Sequence, residues 1–422
     1  MSASKISLTP CQERAYASLQ GNGNVFLTGG AGSGKSFLVR YFLKDKSTKE
    51  FPVLASTGAA AVLVGGRTFH SFFGLGILEG GPEATIEKAA RNRQVVRRLK
   101  KINGFIVDEV SMLSGVILAT AEIICRRVRD SDEPWGGLRV ITVGDFAQLP
   151  PVERNNSAKS WAFQHPVWTW SGFKTEYLRT QTRCRDEQYM RILNQVREGN
   201  VTQEVVDYLN SKIVTGDQEF SGTRLFPRRD QTDRYNLQKL NELKTPLIKL
   251  DTVYTGQARL VEQLKKVAPI PEVLHLKENA LVMIRQNDPQ GRWVNGTTGY
   301  VEKISSEMGG MFVKALKIRL LNGRMAELEK QSFTLLDADG EVVASATNFP
   351  VSLAYASTIH KAQGATLDRL WVDLKQLWEP GQAYVALSRI SMGSDLWVEA
   401  WQPRAIRTDP HVTQFYSDIA PQ

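Results

Sequence analysis

Short apolar runs recur through the first part of the chain, at Val25 to Thr28, Pro52 to Ala55, Gly104 to Val107 and Leu138 to Val143, and each stops at a polar or glycine-rich turn. Stretches with helical spacing separate them. Brief apolar strands alternating with helices predict an α/β fold, a parallel sheet with covering helices. Such sheets gather ligands at the carboxyl ends of their strands, and here all four ends carry conspicuous chemistry. The rhythm breaks at Trp161 to Lys174, where Pro166 and Gly172 fall among aromatics, so a first lobe over residues 1–174 is expected. A second set of strands follows at Thr223 to Phe226, Ala280 to Arg285, Leu370 to Asp373 and Leu396 to Val398, with helical patterns after Arg229, Ser352 and Gln382. These predict a second α/β lobe in two parts, residues 175–295 and 350–422. Between them Gly296, Gly299, Asn322-Gly323 and Asp339-Gly340 punctuate short alternating runs, the signature of hairpins and hence of a small β module over 296–349.

The first strand runs into Gly29-Gly30-Ala31-Gly32-Ser33-Gly34-Lys35-Ser36, which fits G-x-x-x-x-G-K-[ST]. Small residues let successive backbone N–H groups converge on phosphate oxygens, and the helix starting near Lys35 points its positive end at them. Lys35 then reaches the β- and γ-phosphates and Ser36 the Mg²⁺. A glycine-serine surface loop would explain neither the strand in front nor the apolar Phe37-Leu38-Val39 behind. The motif implies bound ATP or GTP.

Ile102 to Met112 delivers adjacent carboxylates, Asp108 and Glu109, at the end of an apolar strand. Asp108 can hold Mg²⁺ through water, and Glu109 can polarise the water that attacks the γ-phosphate, as in other P-loop ATPases. A hydrolase is favoured over a nucleotide kinase, for which the chain offers no clear acceptor lid. The next strand ends in Gly144-Asp145-Phe146-Ala147-Gln148-Leu149-Pro150-Pro151, where Gln148 can report hydrolysis by exchanging a hydrogen bond. A Pro-terminated turn with a surface Gln is the alternative. The second strand leads to Ser56-Thr57-Gly58-Ala59 and then Arg67-Thr68-Phe69-His70-Ser71-Phe72. Small residues with aromatics suit a nucleic-acid strand, while burial of Phe69 and Phe72 in a core is at least as consistent with composition.

Size and charge narrow the class. A chain of 422 residues exceeds what one core usually supports, and a net charge of +9 favours a polyanionic partner. Cys11, Cys125 and Cys184 are the only cysteines and lie far apart, which argues against a disulfide framework or a zinc module. No leader and no membrane-length apolar run is visible, so a cytoplasmic protein without a membrane partner is expected, nucleoid-associated in a bacterium.

With these segments in order, the chain resembles superfamily 1 helicases of the 5′-to-3′ branch, and most closely the petite-integration-frequency helicases. The likeness extends through Leu178 to Gly199, Trp293 to Gly299, Thr358-Ile359-His360-Lys361-Ala362-Gln363-Gly364 and Gly381 to Arg389. It implies two RecA-like lobes and an SH3-like β-barrel inserted in the second. It further implies adenine recognition by Gln12, arginine fingers at Arg183 and Arg389, and a nucleotide site framed by Gly364 and Gln382. Thr57, Gly58, Phe69, His70, Thr358, His360 and Lys361 are implied to line single-stranded DNA. The cofactors implied are ATP and Mg²⁺. The partners implied are single-stranded DNA and duplexes with a 5′ overhang, with forks and G-quadruplexes within range, bound by a monomer.

Relatives carry a wedge or hairpin where this chain has residues 75–96, which are short and contain Gly80-Gly81-Pro82. The nearby run Arg91, Arg93, Arg97, Arg98, Lys100, Lys101 fits a solvated helix face better than a phosphate track. Cys184 stands where many relatives have Gln, and Ala362 where Ser is frequent; neither change removes an essential charge. An RNA-directed helicase and an ATPase switch without unwinding remain alternative readings.

Overall fold

The computed structural model describes residues 8–47, 49–63, 67–76, 78, 80–151, 160–181, 184, 186–214, 220–288, 290–307, 312–336 and 341–419. The chain forms two compact units, one comprising Met1–Arg183 and Thr408–Gln422, the other Cys184–Asp337 and Val342–Arg407.

The first unit is built on strands β1 (Val25–Gly29), β2 (Val53–Ala55), β3 (Arg67–Thr68), β4 (Gly104–Asp108), β5 (Arg139–Val143) and β6 (Lys174–Leu178). They pair in the order β3-β2-β4-β5-β1-β6, all parallel. β1 is buried along its whole length, as expected of an apolar strand covered on both faces. The boundary expected at residue 174 is corrected by pairing: β6 begins there and hydrogen-bonds along β1 from Val25↔Lys174 to Gly29↔Leu178. The expected assignment of residues 408–422 to the second lobe is also corrected, because the terminal helix Pro410–Ile419 belongs to the first unit. Its Phe415 stacks on Phe163 with centroids 4.3 Å apart and meets Phe26, Phe146 and Trp168, so an aromatic cluster holds it.

Residues 81–101 form two helices, Gly81–Arg91 with Pro82 in its first turn and Arg93–Lys101 capped by the Asn92 side chain. The described part of the 75–96 stretch therefore holds helix rather than a hairpin. In the second helix Arg98 is buried, its guanidinium 4.8 Å from the Phe72 ring centre, while Arg93, Arg97, Lys100 and Lys101 face solvent. This is the solvated face anticipated from the charge run, with one cation turned inward.

The second unit carries β7 (Thr223–Phe226), β8 (Ile248–Asp251), β9 (Val253–Gly256), β10 (Val273–Leu276), β11 (Leu281–Ile284), β12 (Thr298–Glu307), β13 (Phe312–Leu320) and β14 (Met325–Leu328). It continues with β15 (Gln331–Leu336), β16 (Val342–Asn348), β17 (Val351–Leu353), β18 (Ala356–Thr358), β19 (Leu370–Asp373) and β20 (Leu396–Ala400). Its parallel sheet has the order β18-β7-β19-β20. Two expectations fail here. The Ala280 to Arg285 run joins an antiparallel sheet instead, β14-β13-β12-β11-β17, and the stretch after Ser352 holds the end of β17 and the short strand β18, with helix only at Ile359–Ala362. An apolar run carries no mark of its partner's direction, so periodicity could not separate these cases.

The hairpin turn at Asn322-Gly323 is present: it joins β13 to β14, Gly323 has φ +82°, and the Asn322 side chain accepts from Arg324 N. The inserted module expected over 296–349 does not form a sheet of its own, however. β12 to β14 share a sheet with β11 and β17, and their core includes Leu240 from the helix Arg229–Glu242 beside Val282, Val301, Leu316 and Phe349. A separate three-stranded sheet, β15-β16-β9, adjoins in sequence, and among the described residues no pairing closes either sheet into a barrel. Among the same residues, no helix is long and apolar enough to cross a membrane.

Candidate active site

In the first unit the helix Lys35–Phe42 starts from Gly34 in the left-handed region, φ +89°, where a side chain would be strained. Gly29 is tighter still: a Cβ there would lie 2.4 Å from Leu178 O and 2.9 Å from Ser33 Oγ. The turn Gly30, Ala31, Gly32, Ser33 thus curls over the end of β1. Lys35 folds back into it, its ammonium donating to Gly29 O at 2.7 Å and Gly30 O at 3.0 Å. Ser33 Oγ is buried and has no hydrogen-bond partner, a donor left over at the centre of the turn. Ser36 is exposed at the helix start.

Gln12 lies behind this turn. Thr9 caps the helix Pro10–Gln20 and Gln12 completes a capping box, its Oε1 accepting from Thr9 N at 3.0 Å. Its Nε2 donates to Ser33 O at 3.4 Å, so one buried amide ties the leading helix to the phosphate turn.

Asp108 and Glu109 end β4, which is separated from β1 in the sheet by β5. Glu109 has φ +55° and ψ +48°, a strained backbone for a non-glycine residue of the kind that clusters at functional sites. Asp108 Oδ1 accepts from Glu109 N at 3.0 Å. Burial and then the neighbouring Glu109 carboxylate push the Asp108 carboxyl up to about 7, opposed by the charges of Lys35 and Arg40. A bound cation would relieve that repulsion. Ser36 and Asp108 are hard oxygen donors, and among the described residues there is no cluster of three or more His, Cys, Asp or Glu. This composition fits Mg²⁺ carried in on a nucleotide's phosphates.

The loop after β5 closes on the same region. Gly144 N donates to Leu27 O at 3.2 Å, and a Cβ on Gly144 would sit 3.0 Å from Val110 N, next to Glu109. Gln148 is buried, with its N–H bonded to Asp145 O at 3.0 Å. The phosphate turn, the carboxylate pair and the Gln148 loop therefore converge at the carboxyl ends of β1, β4 and β5.

Of the expected nucleic-acid contacts in this unit, Thr57 accepts from Ala60 N at 3.3 Å at the start of the helix Gly58–Leu63. His70 is half-buried, and burial holds its imidazole below the usual histidine range. Phe69 is corrected. It is fully buried with its ring 4.7 Å from Phe73, so it is core and offers no face for a base.

In the second unit Arg389 is almost wholly buried. Its Nε donates to Val385 O at 2.7 Å, Nη1 to Ala362 O at 3.3 Å and Nη2 to Ser388 Oγ at 2.6 Å. These bonds bring the helix Gln382–Leu387 against the turn carrying Gly364, which has φ +77° and open space where a side chain would be. Gln382 Oε1 accepts from Trp378 N and Glu379 N at 3.1 and 3.2 Å, while its buried Nε2 has no partner. Thr358 Oγ1 accepts from Lys361 N at 3.2 Å and so caps the short helix that exposes His360 and Lys361. Partial enclosure, then the guanidinium groups of Arg229 and Arg285, hold the Lys361 ammonium below the usual lysine range. Arg183 lies outside the described residues.

Two functional neighbours carried no sequence signal. Tyr416 reaches Thr28 from 388 positions away, and Asn236 reaches Ala356 across 120.

A parallel sheet whose first strand runs into a lysine-bearing phosphate turn, with a carboxylate pair and a glutamine loop at neighbouring strand ends, defines a P-loop nucleoside triphosphatase. Residues 8–207 match the family model described as PIF1-like helicase. The chain is 49% identical over 419 residues to the ATP-dependent DNA helicase Pif1 of Bdellovibrio bacteriovorus, covering 99% of this chain and 94% of that one. Among solved structures it is similar to Bacteroides sp Pif1 in complex with ADP-AlF4, with TM-score 0.83 and 28% identity over 99% of this chain and 98% of that one. Bacteroides Pif1 bound to single-stranded DNA matches with TM-score 0.66 and 28% identity, covering 98% of this chain and 97% of that one. The chain belongs to the Pif1 helicase family.

Proposed function

We propose that this chain is an ATP-dependent DNA helicase that translocates 5′ to 3′ on single-stranded DNA and unwinds duplexes with a 5′ overhang. The observation that carries the reading is the convergence of Lys35, Asp108, Glu109 and Gln148 at adjoining strand ends within one unit, in a chain of a family whose relatives bear that name. Lys35 grips the β- and γ-phosphates, Ser36 and Asp108 hold Mg²⁺, and Glu109 orients the attacking water. Gln12 is assigned to the adenine and Arg389, with Arg183, to the transition-state charge on the γ-phosphoryl group.

Thr57, Gly58 and His70 in the first unit, and Thr358, His360 and Lys361 in the second, are assigned to the DNA strand. Residues 296–349, which carry β12 to β16, are read as an SH3-like accessory to strand separation, on the strength of their turn pattern and position. A monomer is the expected active form, and forks or G-quadruplexes are substrates to be compared.

Strand displacement with 5′ and 3′ overhangs tests the proposal. Unwinding of the 5′-overhang duplex alone is expected. ATPase activity without displacement of either substrate would refute unwinding, and stronger stimulation by RNA than by DNA would favour an RNA-directed enzyme.

A further inference from the structure

The helix Pro410–Ile419 turns the phenol oxygen of Tyr416 into the interior of the catalytic unit. Three buried groups meet it: Thr28 Oγ1 at 2.9 Å, Phe146 N at 2.9 Å and Asp145 Oδ1 at 3.0 Å. A tyrosine hydroxyl has one proton to give and can accept twice. Asp145 takes that proton, so the Phe146 N–H and the Thr28 hydroxyl both donate to the phenol oxygen. Thr28 immediately precedes Gly29, whose carbonyl holds the Lys35 ammonium. Asp145 also accepts from Ala147 N at 3.1 Å, and its carbonyl holds Gln148 N. One phenol thus fixes the spacing between the end of β1 and the loop that carries Gln148.

We propose that Tyr416 is a positioning residue of the ATPase, holding the Gln148 loop in register with the phosphate turn. The inference rests on the reading of that turn as the ATP site. Tyr416→Phe keeps the ring in its aromatic cluster, where it lies 5.6 Å from Phe415, and removes only the shared oxygen. Thr28 and Asp145 are both fully buried, so bulk solvent does not reach the groups left behind.

A control loosens the same helix while keeping every hydrogen bond of the Tyr416 phenol to the loop: Asp409 caps the helix, its Oδ1 accepting from His411 N at 2.9 Å. Asp409 Oδ2 accepts from Trp161 Nε1 at 3.0 Å ahead of the helix, and Asp409→Ala removes that anchor. The test measures DNA-stimulated ATP turnover, affinity for a fluorescent ATP analogue and melting temperature in the full chain, for Tyr416→Phe, Thr28→Val, Asp409→Ala and Lys35→Ala. Tyr416→Phe is expected to lower kcat at least about tenfold with analogue affinity within about twofold, because it disturbs alignment rather than binding. Thr28→Val, which removes one of the three bonds, lowers kcat by a smaller factor and keeps the inference testable should Tyr416→Phe fold poorly. Asp409→Ala lowers the melting temperature and leaves kcat unchanged.

A kcat within twofold of the parent in both Tyr416→Phe and Thr28→Val would overturn the inference, as would an equal loss of kcat in Asp409→Ala at the same melting temperature. Turnover surviving Lys35→Ala would overturn the ATP-site reading itself and the inference with it.

Discussion

Asn236→Ala tests how the strand that leads into the Thr358 motif is held. Asn236 projects from the helix Arg229–Glu242, and its amide grips β18 twice, donating Nδ2 to Ala356 O and accepting from Ala356 N, each at 2.9 Å. Both partners are buried, with Asn236 at 9% and Ala356 at 3% exposure, so truncation strands two backbone groups. Each unsatisfied buried group costs about 1–3 kcal/mol, and partial relaxation brings the pair to roughly 3 kcal/mol. At about 1.4 kcal/mol per decade this is on the order of a 150-fold rise in the population of locally opened β18.

Hydrogen exchange followed by mass spectrometry reads that population directly on peptides spanning 353–362. Faster exchange confined to β18 and the helix it packs against is expected, with weakened single-stranded DNA binding because Thr358 caps the helix bearing His360 and Lys361. Asn236→Asp should do no better, since it places a carboxylate oxygen against the Ala356 carbonyl. Exchange within about threefold of the parent protein in Asn236→Ala would show that the two bonds do not hold the strand.

Glu109→Gln keeps the shape and removes the base, so turnover should fall by about 10²–10⁴ while ATP binding persists; loss of binding in an equilibrium titration would contradict the role given to Glu109. Lys361→Ala should weaken single-stranded DNA binding evenly across sequences and flatten the log affinity against log salt plot by about 0.7, the share of one phosphate contact. An unchanged slope in a salt titration would remove Lys361 from the phosphate track.

The phosphate turn was readable because its chemistry is local: eight consecutive residues supply the strand end, the turn and the helix start. Asp108 and Glu109 were readable for the same reason, each being placed by the strand that precedes it. Phe69 was not, because an aromatic beside small residues suits a base and a core equally, and only packing against Phe73 decides. The direction of β11 was hidden because a buried strand shows the same apolar run in parallel and antiparallel sheets. Tyr416 and Asn236 were invisible for a different reason. Their hydrogen bonds join positions far apart in sequence, and no spacing rule reports such a meeting.

The return of the terminal helix to the first unit has a consequence for biosynthesis. Phe26, Phe146 and Trp168, which Phe415 covers, leave the ribosome long before residues 410–419 do. Residues 184–407 must be translated in between, which at about 5–20 residues per second takes on the order of tens of seconds. During that interval the catalytic unit carries an open aromatic face, and chaperone capture of nascent chains should be strongest in that window, ending when the last helix emerges.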